Sequence, residues 1–401
     1  MVNHPSRSLV EQKKRSYEKR NVPYTRMSTP FRNCMRAALR YTTLAAQGCG
    51  ESERADIASR YVRTGESGTR PMTIRCALVI LVVAVFTAGC TATRAAAPPP
   101  PPPVERPLFE FHSGFWLNLH LGLHHAATAR RPSPPGVTPA PSAPVWISTV
   151  ESYKQRFGAR GGMALVFDDE LVSLNRALSA AGSAPGLFSV DPKLTVELEA
   201  AAPVARADWP EQDRQNRAWI AALEPALARH GNAIRTALTA IFRAPWPSTP
   251  IRVDVSRFAG PLGAFTALDP VHITISSAHP GYAGDAALEM IFHEASHALI
   301  NPIERKLAAE AMRRGSKVPE DLWHALLFYS TGEIVKHRLG PSYVPYATKN
   351  GVWDRGWRGF EAALERNWRP YLNGATDLER AVAALIAAVT SAPEPARSPP
   401  R

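Results

Sequence analysis

The segment His293-Glu294-Ala295-Ser296-His297 places two imidazoles and a carboxylate at helical spacing. Residues four apart on a helix differ by about 40° around its axis, so His293 and His297 project from one face and can share a metal ion. Glu294 lies beside the pair, where its carboxylate can take a proton from a zinc-activated water and return it to a leaving amine. The spacing therefore predicts zinc and hydrolysis with Glu294 as the base, against the alternative of a structural His pair on a helix.

A catalytic zinc site takes three protein ligands and keeps one position open, so a third ligand is needed. The metzincin extension requires Gly and His where this chain has Ile300 and Ile303, which excludes that class. Glu333 lies in an otherwise apolar helical segment, where an unpaired carboxylate is costly and metal binding would explain its presence. Glu333 is therefore the predicted third ligand, and His324 on the same segment is the alternative.

Several neighbours of Glu333 are candidates for supporting roles. Tyr329 and His337 stand four residues before and after it, so they share its helical face. Tyr329 is predicted to stabilise the oxyanion or a substrate carbonyl, and His337 to orient a ligand, although each is equally compatible with an ordinary polar helix position. Tyr343 and Tyr346, in the loop that follows, belong to an aromatic cluster for which helical packing is the default, but either could reach the cleft.

With these residues the chain resembles the gluzincins, the superfamily of thermolysin-like and aminopeptidase-like zinc peptidases. The resemblance covers residues 251–340 and rests on His293, Glu294, His297 and Glu333. It implies bound zinc, an active site built on two helices, and peptide or protein substrates.

The resemblance also implies an edge strand that pairs with an extended substrate, here expected over residues 271–277. Two departures limit the assignment to the superfamily. His337 stands where thermolysin-like enzymes tend to have an aspartate, and the aminopeptidase signature is absent. The sequence thus predicts a zinc peptidase, and the alternative is a non-catalytic envelope lipoprotein that uses a metal site, or only its helix pair, for binding or scaffolding.

The sequence patterns around the motif predict an α+β fold that is mostly helical. A small sheet is expected to pack against the two helices of the site. Alternating apolar residues predict strands over 251–255 and 271–275. A helical pattern follows from Asp285 to Ile300, and Asn301-Pro302 is expected to end it.

Other segments predict a helical layer of structural importance only. Helices are expected over 164–181, 211–243 and 377–390, the second beginning at Asp208 or Pro210. The aromatic stretch 109–125 is predicted to be a buried helix. His120 and His124 within it have metal-ligand spacing, but no carboxylate stands beside them, so packing is the preferred interpretation over a second metal site.

Composition divides the chain into six parts. Residues 1–71 are predicted to be disordered or upstream of the true start, 72–90 a signal peptide, and 91–107 an Ala/Pro-rich linker. A mainly helical region follows over 108–250, then the zincin-like region over 251–392, and a disordered tail over 393–401.

The signal peptide is predicted to be that of a bacterial lipoprotein, against the alternatives of an ordinary signal peptide or an uncleaved anchor. A basic start at Met72 precedes a short apolar run, and Thr87-Ala88-Gly89-Cys90 resembles a lipobox, in which the cysteine is lipidated. The expected location is therefore the bacterial cell envelope, with a lipid anchor at Cys90 and the body facing the periplasm or the exterior.

Charge and cysteines narrow the remaining possibilities. Of the net charge of +12, the first 89 residues supply +9, so the body is nearly balanced and nucleic acid is not expected as a partner. All four cysteines lie at or before position 90, so the folded part can form no internal disulfide or thiolate site. Any zinc in it must be held by histidines and carboxylates.

Overall fold

The computed structural model describes residues 106–128, 143–160, 163–187 and 190–391, all within one compact unit. This part is mostly helical with one four-stranded mixed sheet, which confirms the predicted α+β, mainly helical class. The predictions for residues 1–71, the signal peptide, lipidated Cys90, the linker up to residue 105 and the tail from 393 lie outside the described residues. No helix within the described ranges has the length and apolar content needed to cross a bilayer.

The first half of the described chain supplies one strand and most of the helical layer. Its elements are β1 (Phe109–His112), α1 (Phe115–Thr128), α2 (Pro144–Phe157), α3 (Ala164–Phe167), α4 (Asp169–Ala181) and α5 (Pro192–Phe242). The second half contains β2 (Ile251–Ser256), β3 (Ala264–Ala267), β4 (His272–Ser276), α6 (Asp285–Ser296), α7 (Asn301–Arg313), α8 (Leu322–Leu339), α9 (Tyr346–Lys349), α10 (Val352–Gly356), α11 (Phe360–Asn367), α12 (Arg369–Leu372) and α13 (Leu378–Ser391).

The sheet has the strand order β1-β2-β4-β3. Strand β2 pairs in parallel with both β1 and β4, whereas β3 runs antiparallel to β4. The predicted strands correspond to β2 and β4. The expectation that 271–277 forms the edge strand was wrong, because β3 covers that side of β4 and is itself the edge.

The stretch predicted as one aromatic helix is a strand followed by a helix. Phe109 pairs with Ile251 at the start of the β1–β2 ladder, so the first four residues join the sheet. Strand β1 therefore ties the expected N-terminal region to the sheet of the expected zincin-like region. Helix α1 begins at Phe115, where the Trp116 amide donates to the Gly182 carbonyl at 3.1 Å.

Helix α5 is longer than predicted. It begins at Pro192, where the Asp191 side chain accepts a hydrogen bond from the Leu194 amide at 3.1 Å. It continues through three internal prolines, Pro203, Pro210 and Pro225, so the expected start near residue 210 was wrong. Each proline removes a backbone donor, but buried residues on both sides of the prolines keep the helix packed against the core. They include Leu194, Leu198, Leu223, Ile234, Leu238 and Phe242.

Two buried apolar clusters lie on either side of the sheet region. One is built mainly from α1, α2, α4 and the first part of α5. The other joins β2, β4, the end of α5, α6, α7, α8 and α13. Phe292, fully buried in this second cluster, packs edge-on against Phe109 at 5.4 Å between ring centroids. Helix α6 is therefore held in the core along its length.

Helix α6 ends earlier than predicted but keeps the spacing of the motif. Its last residue is Ser296, and His297 follows with φ −57° and ψ −28°, which is still right-handed helical backbone. The pair expected to end the helix, Asn301 and Pro302, instead begins α7. Pro302 is tolerated in the first turn because the amide that proline lacks has no partner there in any helix.

Candidate metal centre

Three histidines from two helices converge at one point. His293 lies on α6, His297 directly follows it, and His324 lies in the first turn of α8. One ring nitrogen from each lies within 4.8 Å of the others, and Nε2 of His293 is 3.2 Å from Nε2 of His324. Two nitrogens bound tetrahedrally to zinc at about 2.0–2.1 Å lie roughly 3.3–3.4 Å apart. The donor set and spacing therefore fit zinc.

The structure brings His324, and not Glu333, to the histidine pair. The Glu333 carboxylate lies 3.2 Å from the Arg369 guanidinium, on α12. Nine residues separate His324 from Glu333, which corresponds to about half a turn around a helix, so the two side chains leave α8 on opposite sides. The structure therefore groups the alternative, His324, with the histidine pair and places Glu333, the predicted third ligand, away from it.

The residues predicted to support Glu333 also lie away from the three histidines. The Tyr329 hydroxyl donates to the Glu365 carboxylate on α11, and the Tyr329 ring packs against Trp353. Because Tyr329 and Glu333 lie one turn apart on α8, both face α11 and α12, and Tyr329 does not take the predicted oxyanion position. His337, one turn later, is exposed.

Glu294 is held by a side chain from the edge strand. The Thr266 hydroxyl on β3 lies 2.6 Å from Oε2 of Glu294 and 3.0 Å from the Glu294 backbone carbonyl. Burial, which leaves Glu294 only 5% exposed, raises the pKa of its carboxyl to about 7, although the Thr266 hydrogen bond acts in the opposite direction. A carboxyl with a pKa near neutrality can both accept and release a proton.

His293 is the most enclosed of the three imidazoles. Burial, followed by the nearby charges of His297 and His324, lowers its pKa well below the usual value, so the ring is neutral. A neutral imidazole is the form that binds metal. Its Nδ1 is buried without a hydrogen-bond partner among the described residues, so this ring lacks the second contact that usually fixes a metal-binding histidine.

Aromatic rings enclose one side of the cluster. The Phe328 ring stacks on His293 with centroids 3.7 Å apart. Two tryptophans approach the other imidazoles, Trp323 at 5.6 Å from His297 and Trp357 at 5.2 Å from His324. His297 and His324 are partly exposed. The site therefore combines an apolar wall with an approach from solvent.

Two residues near the site escaped the sequence analysis. Thr266 sits in a four-residue strand whose residues are all buried, so no alternation marked it. Glu289 lies one turn before His293 and is fully buried. Its Oε2 accepts hydrogen bonds from the Tyr343 hydroxyl at 2.6 Å and the Tyr346 amide at 2.9 Å. The burial cost used to single out Glu333 applies more strongly to Glu289 and is the signal that could have found it.

The histidines of α1 form no comparable centre. Within the described ranges, the cluster of His293, His297 and His324 is the only group of three potential ligands. Nδ1 of His120 lies 3.1 Å from the Tyr153 hydroxyl. Burial lowers the pKa of His120 to about 3 and that of His124 to about 4, with smaller contributions from the neighbouring histidines. These are features of a packed core, which favours the packing interpretation.

Comparison with known proteins adds no family to this geometry: no family model, no curated protein and no solved structure matches the chain.

Proposed function

We propose that this chain is a zinc-dependent hydrolase that acts on peptide bonds, with His293, His297 and His324 as metal ligands and Glu294 as the general base. The observation that carries the proposal is the convergence of three ring nitrogens within 4.8 Å, next in sequence to a buried carboxylate. Three imidazoles and one open position are a ligand set found in catalytic zinc sites.

The residues divide the chemistry as follows. Bound zinc would supply a Lewis acid that polarises a carbonyl and lowers the pKa of water. Glu294 accepts the proton of the attacking water at its carboxylate and passes it to the leaving amine. Thr266 fixes the orientation of this carboxylate through the 2.6 Å hydrogen bond. The enclosing rings of Phe328 and Trp357 exclude water from one side, which strengthens the electrostatic interactions within the site.

The substrate class rests on the resemblance of the motif to zinc peptidases. Strand β3 lies beside Glu294 at the edge of the sheet, the position at which an extended peptide can add as a further strand. All four residues of β3 are nevertheless less than 10% exposed. The proposal therefore places the substrate at the partly exposed imidazoles of His297 and His324 and does not include backbone pairing with β3.

A Glu294→Gln variant tests the proposal. Glutamine keeps the size of the side chain and its acceptor for the Thr266 hydroxyl, but it does not take up the proton. The variant is expected to bind as much zinc as the wild type and to hydrolyse no member of a peptide library that the wild type cleaves. Full activity in this variant would overturn the mechanism. Stoichiometric zinc in a wild type that cleaves nothing would instead favour a non-catalytic metal-binding or scaffolding protein.

The envelope location and the lipid anchor at Cys90 are a further part of the proposal and rest on the sequence alone. Mass spectrometry of the native protein tests them. The expected N-terminus is a lipidated Cys90, and a peptide from the first 60 residues in the mature protein would contradict the predicted start at Met72.

A further inference from the structure

The two helices that carry the candidate ligands meet in three successive layers. His297 faces His324 in the outermost layer, with ring centroids 5.2 Å apart. One turn back along α6 and one turn forward along α8, His293 faces Phe328. The same step leads to Glu289, which faces Gly332. The helices are therefore antiparallel, and these three layers, about 6 Å apart along the axes, share one face of each helix.

The innermost layer is closely packed around Gly332. A methyl group added at Gly332 would lie 2.9 Å from Cβ of Pro345 and 3.1 Å from Oε1 of Glu289. Contacts of this length are tighter than the interior of a protein allows without movement. Only glycine at this position lets α8, the Pro345 loop and the Glu289 side chain meet as they do.

Glu289 also holds the loop that closes this layer. Oε2 accepts hydrogen bonds from Tyr343 and from the Tyr346 backbone, on either side of Pro345. The Tyr346 ring then packs between Phe328 and Tyr282, with centroid distances of 6.1 and 5.4 Å. Phe328 in turn stacks directly on His293. A series of contacts through Tyr346 and Phe328 therefore connects Glu289 to a candidate ligand.

We propose that Glu289 is a positioning residue for the metal centre: with Gly332 and the loop from Tyr343 to Tyr346, it forms a clasp that fixes the distance between α6 and α8. The inference rests on the proposed zinc site. Nitrogen ligands of zinc tolerate deviations of only about 0.2 Å, so the separation of α6 from α8 determines whether His324 can bind the same ion as His293.

Zinc affinity, measured on the full chain by competition with a chromophoric chelator, tests the clasp. Gly332→Ala is expected to weaken zinc binding by about tenfold or more, the range seen when residues that orient ligands are replaced. Gly122→Ala is the matched control, because Gly122 lies in the middle of α1 with no atom within 4 Å of the added methyl group. It is expected to bind zinc as the wild type does.

Two substitutions at the carboxylate sharpen the test. Glu289→Gln keeps an oxygen that can accept from Tyr343 and Tyr346, so near wild-type affinity is expected. Glu289→Ala removes the acceptor and is expected to weaken binding as Gly332→Ala does. If the alanine variant does not fold, Tyr343→Phe serves instead, because it removes one donor from a partly exposed side chain. Wild-type affinity in both Gly332→Ala and Tyr343→Phe would overturn the proposal.

Hydrogen exchange at the Tyr346 amide separates the clasp from the zinc site. This amide donates to Glu289, so faster exchange is expected in the metal-free Tyr343→Phe variant than in the metal-free wild type. Unchanged exchange would overturn the clasp even if zinc binds. A wild type that binds no zinc would overturn the proposed function, and the exchange measurement would still decide whether the clasp exists.

Discussion

Nε2 of His293 lies 3.2 Å from Nε2 of His324, although 31 residues separate the two histidines in the chain. His324 lies in the first turn of α8. Glu333 lies further along the same helix and pairs with Arg369. The proposed donor set is consequently three imidazoles, which differs from the two histidines and one glutamate of the superfamily that the motif resembles.

Removing either candidate third ligand distinguishes the two arrangements. His324→Ala is expected to abolish stoichiometric zinc binding, because two imidazoles alone leave the ion short of a ligand. Glu333→Gln is expected to retain zinc and to lose only a partly exposed ion pair with Arg369, worth about 1 kcal/mol or less. Metal analysis after dialysis measures both, with His337→Ala on the exposed face of α8 as the control. Loss of zinc in Glu333→Gln would contradict the assignment.

The Thr266 hydrogen bond is expected to matter for both activity and stability. Thr266→Val keeps the shape of the side chain but leaves the buried Glu294 carboxylate without this donor, at a cost of about 1–3 kcal/mol. Loss of the Thr266 hydrogen bond, which lowers the pKa of Glu294, lets that pKa rise further, so less of the base is ionised at neutral pH and hydrolysis slows. Urea unfolding and peptide hydrolysis measure the two effects. Thr266→Ser restores the hydroxyl and is expected to recover most of both, whereas a valine variant with wild-type activity would show that the bond is dispensable.

A buried carboxylate, that of Asp254, joins strands β2 and β4 through an ion-pair network. Asp254 on β2 is 1% exposed, and its oxygens lie 2.8 Å from Nε of Arg252 and 2.6 Å from Nε2 of His272. Burial favours the neutral acid and is the largest single influence, but the hydrogen bonds and charges of His272 and Arg252 together outweigh it and lower the pKa of Asp254 to about 2.

Asp254→Ala is expected to cost about 3–5 kcal/mol in the free energy of unfolding, because it removes the carboxylate that pairs with the buried His272 and with Arg252. Urea denaturation at pH 7 measures the loss. Glu379→Gln breaks the exposed pair with Lys306 and is expected to change the free energy of unfolding little, because exposed ion pairs contribute little to stability. Equal effects of the two substitutions would contradict the importance of the buried network.

The histidines of α1 predict instability in mild acid. The unfolded chain protonates each near pH 6.5, whereas burial lowers the folded pKa of His120 to about 3 and that of His124 to about 4. Below pH 6.5 the unfolded state therefore binds more protons, and stability falls as the pH falls, by up to about 1.4 kcal/mol per pH unit for each histidine.

Urea unfolding at pH 7, 6 and 5 checks this prediction. His120→Gln retains a polar group near Tyr153. It is expected to reduce the pH dependence of the free energy of unfolding by the contribution of one histidine. His337→Gln, at an exposed position, is expected to leave it unchanged. A wild type whose stability is constant between pH 7 and 5 would show that these histidines do not remain neutral in the fold.

The sequence was sufficient where local patterns determine structure. Alternation marked β2 and β4, and the four-residue spacing placed His293 and His297 on one face. It was insufficient where distant segments decide the outcome. The alternation of Phe109-Glu110-Phe111-His112 and the following Ser113-Gly114 turn signal do separate β1 from the helix. Its place in the sheet, however, comes from pairing with β2, which is distant in the chain and leaves no mark on the local pattern.

The third ligand shows the same limit within the site. Helical periodicity put His324 and Glu333 on opposite sides of α8, but the choice of the side that faces α6 depends on packing. That side carries His324, Phe328 and Gly332 at four-residue steps, and the glycine makes room for the side chains of Glu289 and Pro345. This pattern of an aromatic residue and a glycine in step with a histidine is the signal that favours His324.

X-ray absorption spectroscopy of the zinc-loaded protein tests the central claim most directly, because it counts the imidazoles bound to the metal. The account predicts three imidazole nitrogens at about 2.0–2.1 Å and a fourth light-atom ligand from solvent. A spectrum of two imidazoles with a protein carboxylate, unchanged by His324→Ala and altered by Glu333→Gln, would contradict it.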